Sequence, residues 1–346
     1  MRETPYIKDV LDQPQALRFC LENTKNITAI LASIPGFDTY KRIILTGMGA
    51  SLYALYPAYL ELVRLGGSIF WIPASELLFD VYELITKETL IVVVSQSGKS
   101  AEVIALFDRI KQDGTKPVVL AFSNDIESPL AMNADAVVPL HAGSENTVSA
   151  KTYMNTLALT GLMTRTKSSG GLEKFLEDCF SFSNTLEKYF STWEARVDAL
   201  KATIGLPKKM YLTGRGTSLS AALNGALITK EASKYAPCGS SPADFRHGPF
   251  ELVDKDFTAI VFAGYGKHLE LNINIAKDVI AYGGKCFMVS SEPVTDIPHI
   301  QMPTCAQSTI PLAEIAFVQL LTIALAELNG FLPGEFRNSG KVTTIL

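Results

Sequence analysis

The sequence lacks the features that mark several large classes of protein. Its five cysteines are odd in number, lie far apart and form no Cys-x-x-Cys pair, which argues against a disulfide framework and a zinc site. No cluster of lysine and arginine offers a surface for nucleic acid, and the formal net charge is -4. The histidines His141, His268 and His299 form no pair with metal-ligand spacing. We therefore expect a protein with reduced thiols that binds neither nucleic acid nor a resident metal.

Long hydrophobic runs are also missing. The first residues, MRETPYIKDVLDQPQAL, have no apolar core of the kind found in signal peptides. The most apolar stretch, Ile315–Leu328, contains Gln319 and Glu327, and we predict a core helix that is too short to span a bilayer. The 346 residues, 47% of them apolar, suffice for two domains with substantial cores. We expect a cytoplasmic protein without a membrane partner.

The sequence does contain an apolar strand pattern that ends in a cluster of serines. The segment LIVVVSQSGKS covers Leu90–Ser100, and the next residues, AEVIALFDRIKQ, have helical periodicity. The hydroxyls of Ser95, Ser97 and Ser100 would bind a phosphate-sized anion together with the free amides of the helix start, and Gly98 would permit the tight turn. The alternative is an ordinary strand, turn and helix with a serine cap.

A second informative feature is an internal repeat. KRIILTGMGASLYALYPAYL, from Lys41, resembles KKMYLTGRGTSLSAALNGAL, from Lys208. About fifty residues after each glycine turn, LIVVVSQSGKS resembles FTAIVFAGYGK, which covers 257–267. Strands alternate with helical segments in both halves, which predicts two α/β units, each with a parallel sheet covered by helices. Only the first copy keeps the serines, because the second continues as Ala263-Gly264-Tyr265-Gly266-Lys267-His268.

The repeat predicts the organisation of the chain. We expect a helical segment over 1–30, a first α/β domain over 31–169, a helical linker over 170–202, a second α/β domain over 203–330 and an irregular tail over 331–346. The linker prediction rests on the charged helical stretch from Gly170 to Ala202, which carries Phe, Tyr and Trp at intervals.

The glycine turns leave a dinucleotide-binding dehydrogenase as a weaker alternative. Gly47-Met48-Gly49 and Gly214-Arg215-Gly216 resemble half of the G-x-G-x-x-G fingerprint, but Leu52 and Leu219 stand where the third glycine is required. No acidic residue ends a clear second strand at the distance that a ribose partner needs. A sugar phosphate fits one anion loop with neutral hydroxyls better than a nicotinamide cofactor does.

Together with Phe245-Arg246-His247-Gly248-Pro249, these motifs resemble the tandem sugar isomerase (SIS) domain family. The likeness is to the isomerase half of glucosamine-6-phosphate synthase and to its stand-alone deaminase and deglycase relatives. It runs from Asp12-Gln13-Pro14 to Lys341. The resemblance implies two SIS domains, each a three-layer αβα, flavodoxin-like fold. It also implies a homodimer, because the ring-opening histidine of this family reaches in from the partner subunit.

The resemblance further implies roles for particular residues. Glu231 aligns with the carboxylate that moves a proton between the first two sugar carbons, and His247 aligns with the ring-opening histidine. Lys341 aligns with a tail lysine near the sugar carbonyl. The substrate-binding positions are Ser51, Ser95, Gln96, Ser97, Ser100 and Ser149.

Each of these charged residues has a structural alternative. Glu231 is otherwise a solvated helix-end glutamate paired with a neighbouring lysine, and His247 is otherwise a surface histidine in a turn. Lys341 is otherwise a disordered surface charge. Lys99, inside the serine loop, would either add a charge to the phosphate or point into water.

Two departures from the family shape the functional prediction. Ile228 stands where the synthase has a lysine three residues before its glutamate, and the sequence opens at Met1 directly in the isomerase-like region. We therefore expect no glutaminase domain and predict a phosphosugar isomerase or deaminase that releases ammonia or an amine from an amino-sugar 6-phosphate or a sugar–amine adduct. No metal or organic cofactor is expected.

The alternative from another class is a non-catalytic regulatory protein that binds a sugar phosphate. It would keep the serine loop but would have no use for the three charged candidates. We also expect Gly98→Val to impair phosphate binding more than folding, because valine tolerates a turn with positive φ poorly and would block the amides.

Overall fold

A computed structural model describes residues 3–167, 171–294, 296–338 and 340–346. Its contacts divide the chain into two compact units, each with one five-stranded parallel sheet. The first unit comprises Gln15–Glu145, Lys151–Glu177 and Asn338–Leu346, and the second comprises Met1–Pro14, Asn146–Ala150 and Asp178–Arg337. The last residues of the chain therefore belong to the first unit, and its first residues belong to the second.

The first sheet has the strand order of flavodoxin-like folds. Its strands are β1 (Arg42–Gly47), β2 (Ser68–Pro73), β3 (Thr89–Val94), β4 (Val118–Ser123) and β5 (Ala136–Pro139). They pair in parallel in the order β2-β1-β3-β4-β5. In this order the direction of sheet growth reverses between β1 and β3, and ligands bind at such a reversal, beyond the carboxyl ends of the strands.

Helices flank the first sheet because its central strands are apolar on both faces. All six residues of β3, TLIVVV, are buried, as in a strand covered from both sides. The helices are α2 (Gln13–Glu22), α3 (Thr24–Ser33), α4 (Ala50–Ala54), α5 (Tyr56–Leu65), α6 (Ala74–Phe79), α7 (Ala101–Asp113), α8 (Pro129–Asn133), α9 (Lys151–Lys167) and the start of α10 (Leu172–Phe190). Leu77 of α6 and Leu106 of α7 pack with Ile91 and Val93 in one continuous core.

The second sheet has the same order as the first. Its strands are β6 (Lys209–Thr213), β7 (Cys238–Ser240), β8 (Phe257–Phe262), β9 (Lys285–Ser290) and β10 (His299–Gln301), in the parallel order β10-β9-β8-β6-β7. The helices of this unit are α1 (Pro5–Leu11), the rest of α10, α11 (Trp193–Ile204), α12 (Leu219–Ser233), α13 (Pro242–Arg246), α14 (Lys267–Ala281) and α15 (Ile310–Leu328). The fold class predicted from the sequence, two parallel sheets flanked by helices, is confirmed.

Helix α15 is the most apolar helix of the second unit, and its residues Ile310 to Ala326 are buried. With the preceding turn it covers Gln307–Leu328, which among the described residues is the one helix long and apolar enough to cross a membrane. Its most apolar window is entirely buried within the protein, as in a core helix. The expectation that the stretch is too short to span a bilayer was wrong, because the helix begins at Ile310 and not at Ile315.

Two polar side chains of α15 have partners from the start of the chain. The Gln13 side-chain amide donates to Gln319 Oε1 at 2.6 Å, and the hydroxyls of Tyr6 and Thr322 lie 2.9 Å apart. Both pairs are buried, so these hydrogen bonds replace those that water would make. The first fourteen residues are therefore part of the second unit.

The segment expected to join the two halves is helical, with α10 and α11 in this region. The residues Asp178–Arg337 belong to the second unit, where the Asp178 carboxylate accepts a hydrogen bond from Ser308 at 2.6 Å. The Tyr189 hydroxyl donates to the carbonyl of Gln301 at 3.3 Å. Gly170, where the expected linker begins, lies outside the described residues.

Candidate active site

The serine loop follows β3 at the reversal point of the first sheet. The buried Ser95 hydroxyl accepts a hydrogen bond from the Gly98 N–H at 3.1 Å and lies 3.4 Å from the Ser100 hydroxyl. The half-buried Ser97 hydroxyl accepts from the Lys99 N–H at 3.2 Å. The structure thus places the three hydroxyls in one turn.

The loop is also tied to the neighbouring strand through its main chain. The Ser95 N–H donates to the carbonyl of Phe122 in β4 at 3.1 Å, and the Asn124 N–H donates to the carbonyl of Gln96 at 3.1 Å. The Gln96 side chain is half-buried at the rim of this turn. These bonds hold the loop against the sheet while its side chains stand at the strand exit.

Helix α7 begins directly after the loop, with Ser100 at its N-cap. Ser100 has extended backbone angles (φ -61°, ψ 135°), and its side chain makes no capping hydrogen bond to the helix. This finding disfavours the alternative of an ordinary serine cap. The first amides of α7 carry the positive end of the helix dipole, a favourable place for a phosphate. One of them, the Ala101 N–H, donates to the carbonyl of Thr343 in the carboxy-terminal tail at 3.1 Å.

Gly98 is required by the structure of the loop itself. Its φ is 60°, and a Cβ added there would lie 2.0 Å from Ser128 Oγ and 2.5 Å from Ser128 Cβ. Ser128 is buried and caps helix α8 by accepting from the Ala131 N–H at 3.3 Å. Any side chain at this position collides with a buried cap, so we now expect Gly98→Val to impair folding as well as phosphate binding.

Lys99 is engaged with a carboxylate of its own unit. Its ammonium group lies 2.7 Å from the Asp125 carboxylate, and both side chains are largely exposed. The hydrogen bond from Lys99 is the main cause that lowers the pKa of Asp125 below its usual value. Neither sequence alternative, a contact with phosphate or a solvated charge, foresaw this ion pair.

Ser51 lies at the strand exit next to the serine loop. Gly47 ends β1 and pairs in register with Val94, the last residue of β3. A Cβ on Gly47 would lie 2.7 Å from the Val94 carbonyl oxygen and 3.2 Å from Ser51 Cβ. Only glycine therefore fits between these two elements, and its close packing sets the half-buried Ser51 beside the end of β3.

The tail lysine is anchored in the first unit. Lys341 Nζ donates to the Glu145 carboxylate at 2.7 Å, with the Glu145 side chain fully buried and the Lys341 side chain 18% exposed. The same carboxylate accepts from the N–H of Thr152 at 3.1 Å and from its hydroxyl at 2.6 Å. Lys341 is thus held by an ion pair and is not a disordered surface charge.

Glu231 lies in the last turn of α12 in the second unit, where it is half-buried. The neighbouring Lys234 has left-handed backbone angles and donates from its ammonium group to the main-chain oxygens of Glu231 and Glu335. The Gly334 N–H donates to the Ala232 carbonyl at 3.0 Å. The segment around Gly334 therefore packs on the end of the helix that carries Glu231.

His247 and Ser149 also belong to the second unit. His247 is the exposed C-cap residue of α13, and its N–H donates to the Asp244 carbonyl at 3.0 Å. The preceding Phe245 is buried, with its ring centroid 4.7 Å from that of Tyr211, which fixes the turn. Ser149 is half-buried in the short segment Asn146–Ala150.

The corresponding strand exit of the second unit lacks the serine hydroxyls. The Ala263 N–H donates to the carbonyl of Val289 in β9 at 3.0 Å, as the Ser95 N–H donates to β4. Three residues, 263–265, separate β8 from the N-cap Gly266, whereas five residues, 95–99, separate β3 from its helix cap. The second loop is shorter and lacks the serine cluster.

A buried carboxyl group lies at this second exit. The Ser218 hydroxyl donates to Glu314 Oε1 at 2.6 Å, and both residues are buried. Glu314 Oε2 has no hydrogen-bond partner in the part of the chain that the structure describes. Burial raises the pKa of Glu314 to about 8, against a smaller lowering effect of the Ser218 hydrogen bond. Within the described ranges, no group of three or more His, Cys, Asp or Glu side chains is placed to hold a metal ion.

Sequence reasoning missed Glu145, Glu314 and Ser128. The partners of Glu145 include Lys341, which lies 196 positions away in the sequence. Glu314 lies within an apolar helical stretch, and nothing in its neighbours marks it as special. No local pattern marks such long-range pairs. A signal existed only for Ser128, whose Ser-Pro sequence is typical of a helix start.

Comparison with known proteins agrees with this architecture. The profile of the SIS domain matches residues 38–164 and 206–298. The glutamine–fructose-6-phosphate aminotransferase (isomerizing) of Thermococcus kodakarensis is 28% identical over 352 residues, which cover 98% of this chain and 58% of that protein. The Sulfurisphaera tokodaii enzyme of the same name is 29% identical over 348 residues, with 98% and 56% covered. The chain thus spans less than two thirds of these relatives.

Two solved structures show the same fold at low sequence identity. The C-terminal domain of glucosamine-fructose-6-phosphate aminotransferase from Francisella tularensis superposes with a TM-score of 0.82 at 19% identity, covering 95% of this chain and 97% of that one. Glucosamine-6-phosphate deaminase from Thermotoga maritima gives 0.79 at 20% identity, with 98% and 99% covered. Because the family profile matches more than half of the sequence, in two separate segments, this chain belongs to the SIS domain family.

Proposed function

We propose that the protein is a phosphosugar isomerase or deaminase that acts on an amino-sugar 6-phosphate. The observation that carries the proposal is the serine loop between β3 and α7, where three hydroxyls and a helix start share one turn in a chain of the SIS family. The names of its relatives, an isomerizing aminotransferase and a glucosamine-6-phosphate deaminase, support a phosphorylated amino sugar as the substrate class.

In this proposal the first unit binds the phosphate. Ser95, Ser97 and Ser100 donate hydroxyl hydrogens to its oxygens, and the first amides of α7 add the favourable end of the helix dipole. Gln96 contributes its side-chain amide at the rim, and Ser51 and Ser149 contact the sugar. The phosphate group provides binding energy that orients the sugar carbons for reaction.

In the proposed reaction, Glu231, His247 and Lys341 open the ring and transfer the proton. His247 opens the sugar ring, and the Glu231 carboxylate removes the proton from C2 of the open-chain aldehyde and returns one to C1. The product of this shift is a ketimine at C2, which water hydrolyses to a ketose 6-phosphate and ammonia. Lys341 donates a hydrogen bond to the carbonyl oxygen. No step calls for a metal or an organic cofactor.

The decisive experiment compares Glu231→Gln with the matched variant Glu251→Gln, which makes the same change at an exposed glutamate of the second unit. We expect Glu231→Gln to lose at least about a hundredfold in kcat for ketose and ammonia release from glucosamine 6-phosphate, with the sugar phosphate still bound. Glu251→Gln should behave as the unchanged protein. A panel of amino-sugar and amine-linked sugar 6-phosphates identifies the preferred substrate. Equal binding by all forms without turnover of any member would instead favour a regulatory sugar-phosphate binder.

We also propose a cytoplasmic homodimer in which each site receives His247 from the partner subunit. The exposure of His247 at a helix end supports this arrangement. Mixing inactive Glu231→Gln and His247→Asn proteins and allowing subunits to exchange should restore about a quarter of the activity, because half of the dimers then contain one intact site. No recovery, in a mixture shown to exchange subunits, would place both residues in one chain.

A further inference from the structure

Glu145 is a buried carboxylate that the proposed chemistry does not use. Its side chain is fully buried, yet it lies within the segment that connects β5 to helix α9. Because an isolated buried carboxylate is strongly unfavourable, the groups that bind Glu145 indicate its role. Thr152 supplies an N–H and a hydroxyl from the first turn of α9, and Lys341 supplies an ammonium group from the tail.

Two bonds between described residues attach the tail to the rest of the first unit, and the Lys341 contact is one of them. The other is the hydrogen bond from the Ala101 N–H to the Thr343 carbonyl, one residue beyond Ser100. Most of the tail from Gly340 to Leu346 is exposed, including the side chains of Ile345 and Leu346, so the tail buries little apolar surface. The ion pair with the fully buried Glu145 carboxylate is therefore a contact that can hold this otherwise exposed stretch of chain in place.

We propose that Glu145 is a positioning residue that fixes the Lys341 ammonium group for the reaction. The idea rests on the proposed function, because Lys341 is the group that meets the open-chain carbonyl. Glu145 itself is held from the side of α9 by Thr152, at the end of the helix whose dipole favours a negative charge. The main-chain N–H of Thr152, at a rigid helix start, thus sets the place of Glu145 and through it the place of a lysine on an otherwise exposed tail.

The test is a double-mutant cycle with Glu145→Gln and Lys341→Met. Glutamine has the size of glutamate and can still accept from Thr152, so the charge on the tail anchor is the main loss. Both single variants should lower kcat for glucosamine 6-phosphate by about tenfold to a hundredfold, with KM changed less than about threefold, because the phosphate contacts remain. The double variant should be no worse than Lys341→Met alone.

Thr152→Val is the matched control. It removes the hydroxyl that binds Glu145 but leaves Lys341 and its carboxylate in place. We expect kcat within about threefold of the unchanged protein, apart from lower stability. If Thr152→Val reproduced the loss seen with Glu145→Gln, Glu145 would act through helix α9 and the proposal would fail. Losses that multiply in the double variant would also overturn it.

A second readout separates this inference from the proposed activity. Hydrogen exchange of the Ala101 amide, which Thr343 protects, and of tail residues 340–346 reports tail attachment without any substrate. Glu145→Gln should speed this exchange at least about fivefold, to the rate seen with Lys341→Met. Unchanged exchange in Glu145→Gln overturns the positioning role. Faster exchange in a protein that turns over no sugar phosphate would refute the proposed function and leave the tail anchor standing.

Discussion

The two units have the same strand order, but the loops at the reversal points of their sheets differ in length and in polar side chains. After β3 the chain makes a five-residue loop with a buried hydroxyl at Ser95 and a half-buried one at Ser97, and the cap residue Ser100 makes no side-chain hydrogen bond to the helix. After β8 the loop has three residues and no serine, and Ser218 hydrogen-bonds a fully buried Glu314. One exit therefore carries a cluster of serine hydroxyls, and the other contains a buried hydrogen bond between two of its own side chains.

Because the two units share the same strand order, the fold alone does not determine what either strand exit can bind. Ser95 and Ala263 occupy the same register position, each with its N–H bound to the carbonyl of the next strand. Both exits therefore have the same main-chain hydrogen bond to the next strand, and any difference in what they bind must come from their side chains and loop lengths. Variants in matched positions of the two units can test this difference directly.

The largest effect is expected from removing two hydroxyls of the first exit. Ser97→Ala combined with Ser100→Ala should weaken binding of glucosamine 6-phosphate about a thousandfold, or about 4 kcal/mol, because each hydroxyl donates to a charged oxygen. Titration calorimetry measures the affinity, and thermal unfolding shows whether the fold persists. Tyr265→Phe, which removes the hydroxyl from the second exit, is the control and should change the affinity less than about twofold. An affinity that survives the double change would remove the basis for a phosphate loop.

A change at the second exit should instead alter how the free energy of unfolding depends on pH. Burial raises the pKa of Glu314 to about 8, whereas in the unfolded chain its pKa stays near the ordinary 4.5. Between these values the folded protein holds a proton that the unfolded chain has lost, so its stability falls as pH rises from about 5 to about 8. The full difference corresponds to about 5 kcal/mol, and we expect about 3 kcal/mol after structural relaxation.

Glu314→Gln removes this titration and keeps an acceptor for Ser218. Its free energy of unfolding in urea should match the unchanged protein at pH 5 and exceed it at pH 8 by the amount just given. Glu251→Gln, at an exposed position of the same unit, serves as control and should leave the pH dependence as it was. Parallel curves for Glu314→Gln and the unchanged protein would mean that Glu314 is already ionised at neutral pH.

Local signals in the sequence were enough to predict the elements of the first exit. The run of β-branched residues before Ser95, the glycine at 98 and the helical period after Ser100 are all short-range features, and they predicted β3, the turn and α7. Helix α15 was predicted too short, because Pro311, which suits a first helical turn, was not read as a start signal.

Long-range pairs were beyond sequence reasoning. Gln13 pairs with Gln319, and Lys341 pairs with Glu145, so the two ends of the chain belong to the units opposite to those their position suggests. Hydrophobic period and turn chemistry carry no information about such partners. The sequence predicted the positive φ of Gly98 but not its close contact with Ser128.

Replacing a glycine in each loop should lower the free energy of unfolding by different amounts, and this difference is a smaller effect. Gly98→Ala meets Ser128 at 2.0 Å, whereas a Cβ at Gly264, φ 65°, meets nothing closer than 3.4 Å. We expect Gly98→Ala to reduce the free energy of unfolding by about 3 kcal/mol and Gly264→Ala by about 1 kcal/mol, since only the first adds a steric clash to backbone strain. Urea denaturation of both variants measures the difference. Equal losses would show that strain alone determines the choice of glycine in both loops.

The smallest effect is expected from the lysine inside the serine loop. The Lys99 ammonium group is bound to Asp125, and the pair is largely exposed, so its charge is screened and already neutralised. Lys99→Met should therefore weaken binding of glucosamine 6-phosphate less than about threefold, and raising the salt concentration should remove even that difference. Asp125→Asn frees the ammonium group and should strengthen binding by a similarly small factor. A tenfold or greater loss in Lys99→Met, persisting at high salt, would mean that the first exit attracts its anion by charge and not by hydroxyls and amides, and the contrast with the second exit would then rest on one lysine.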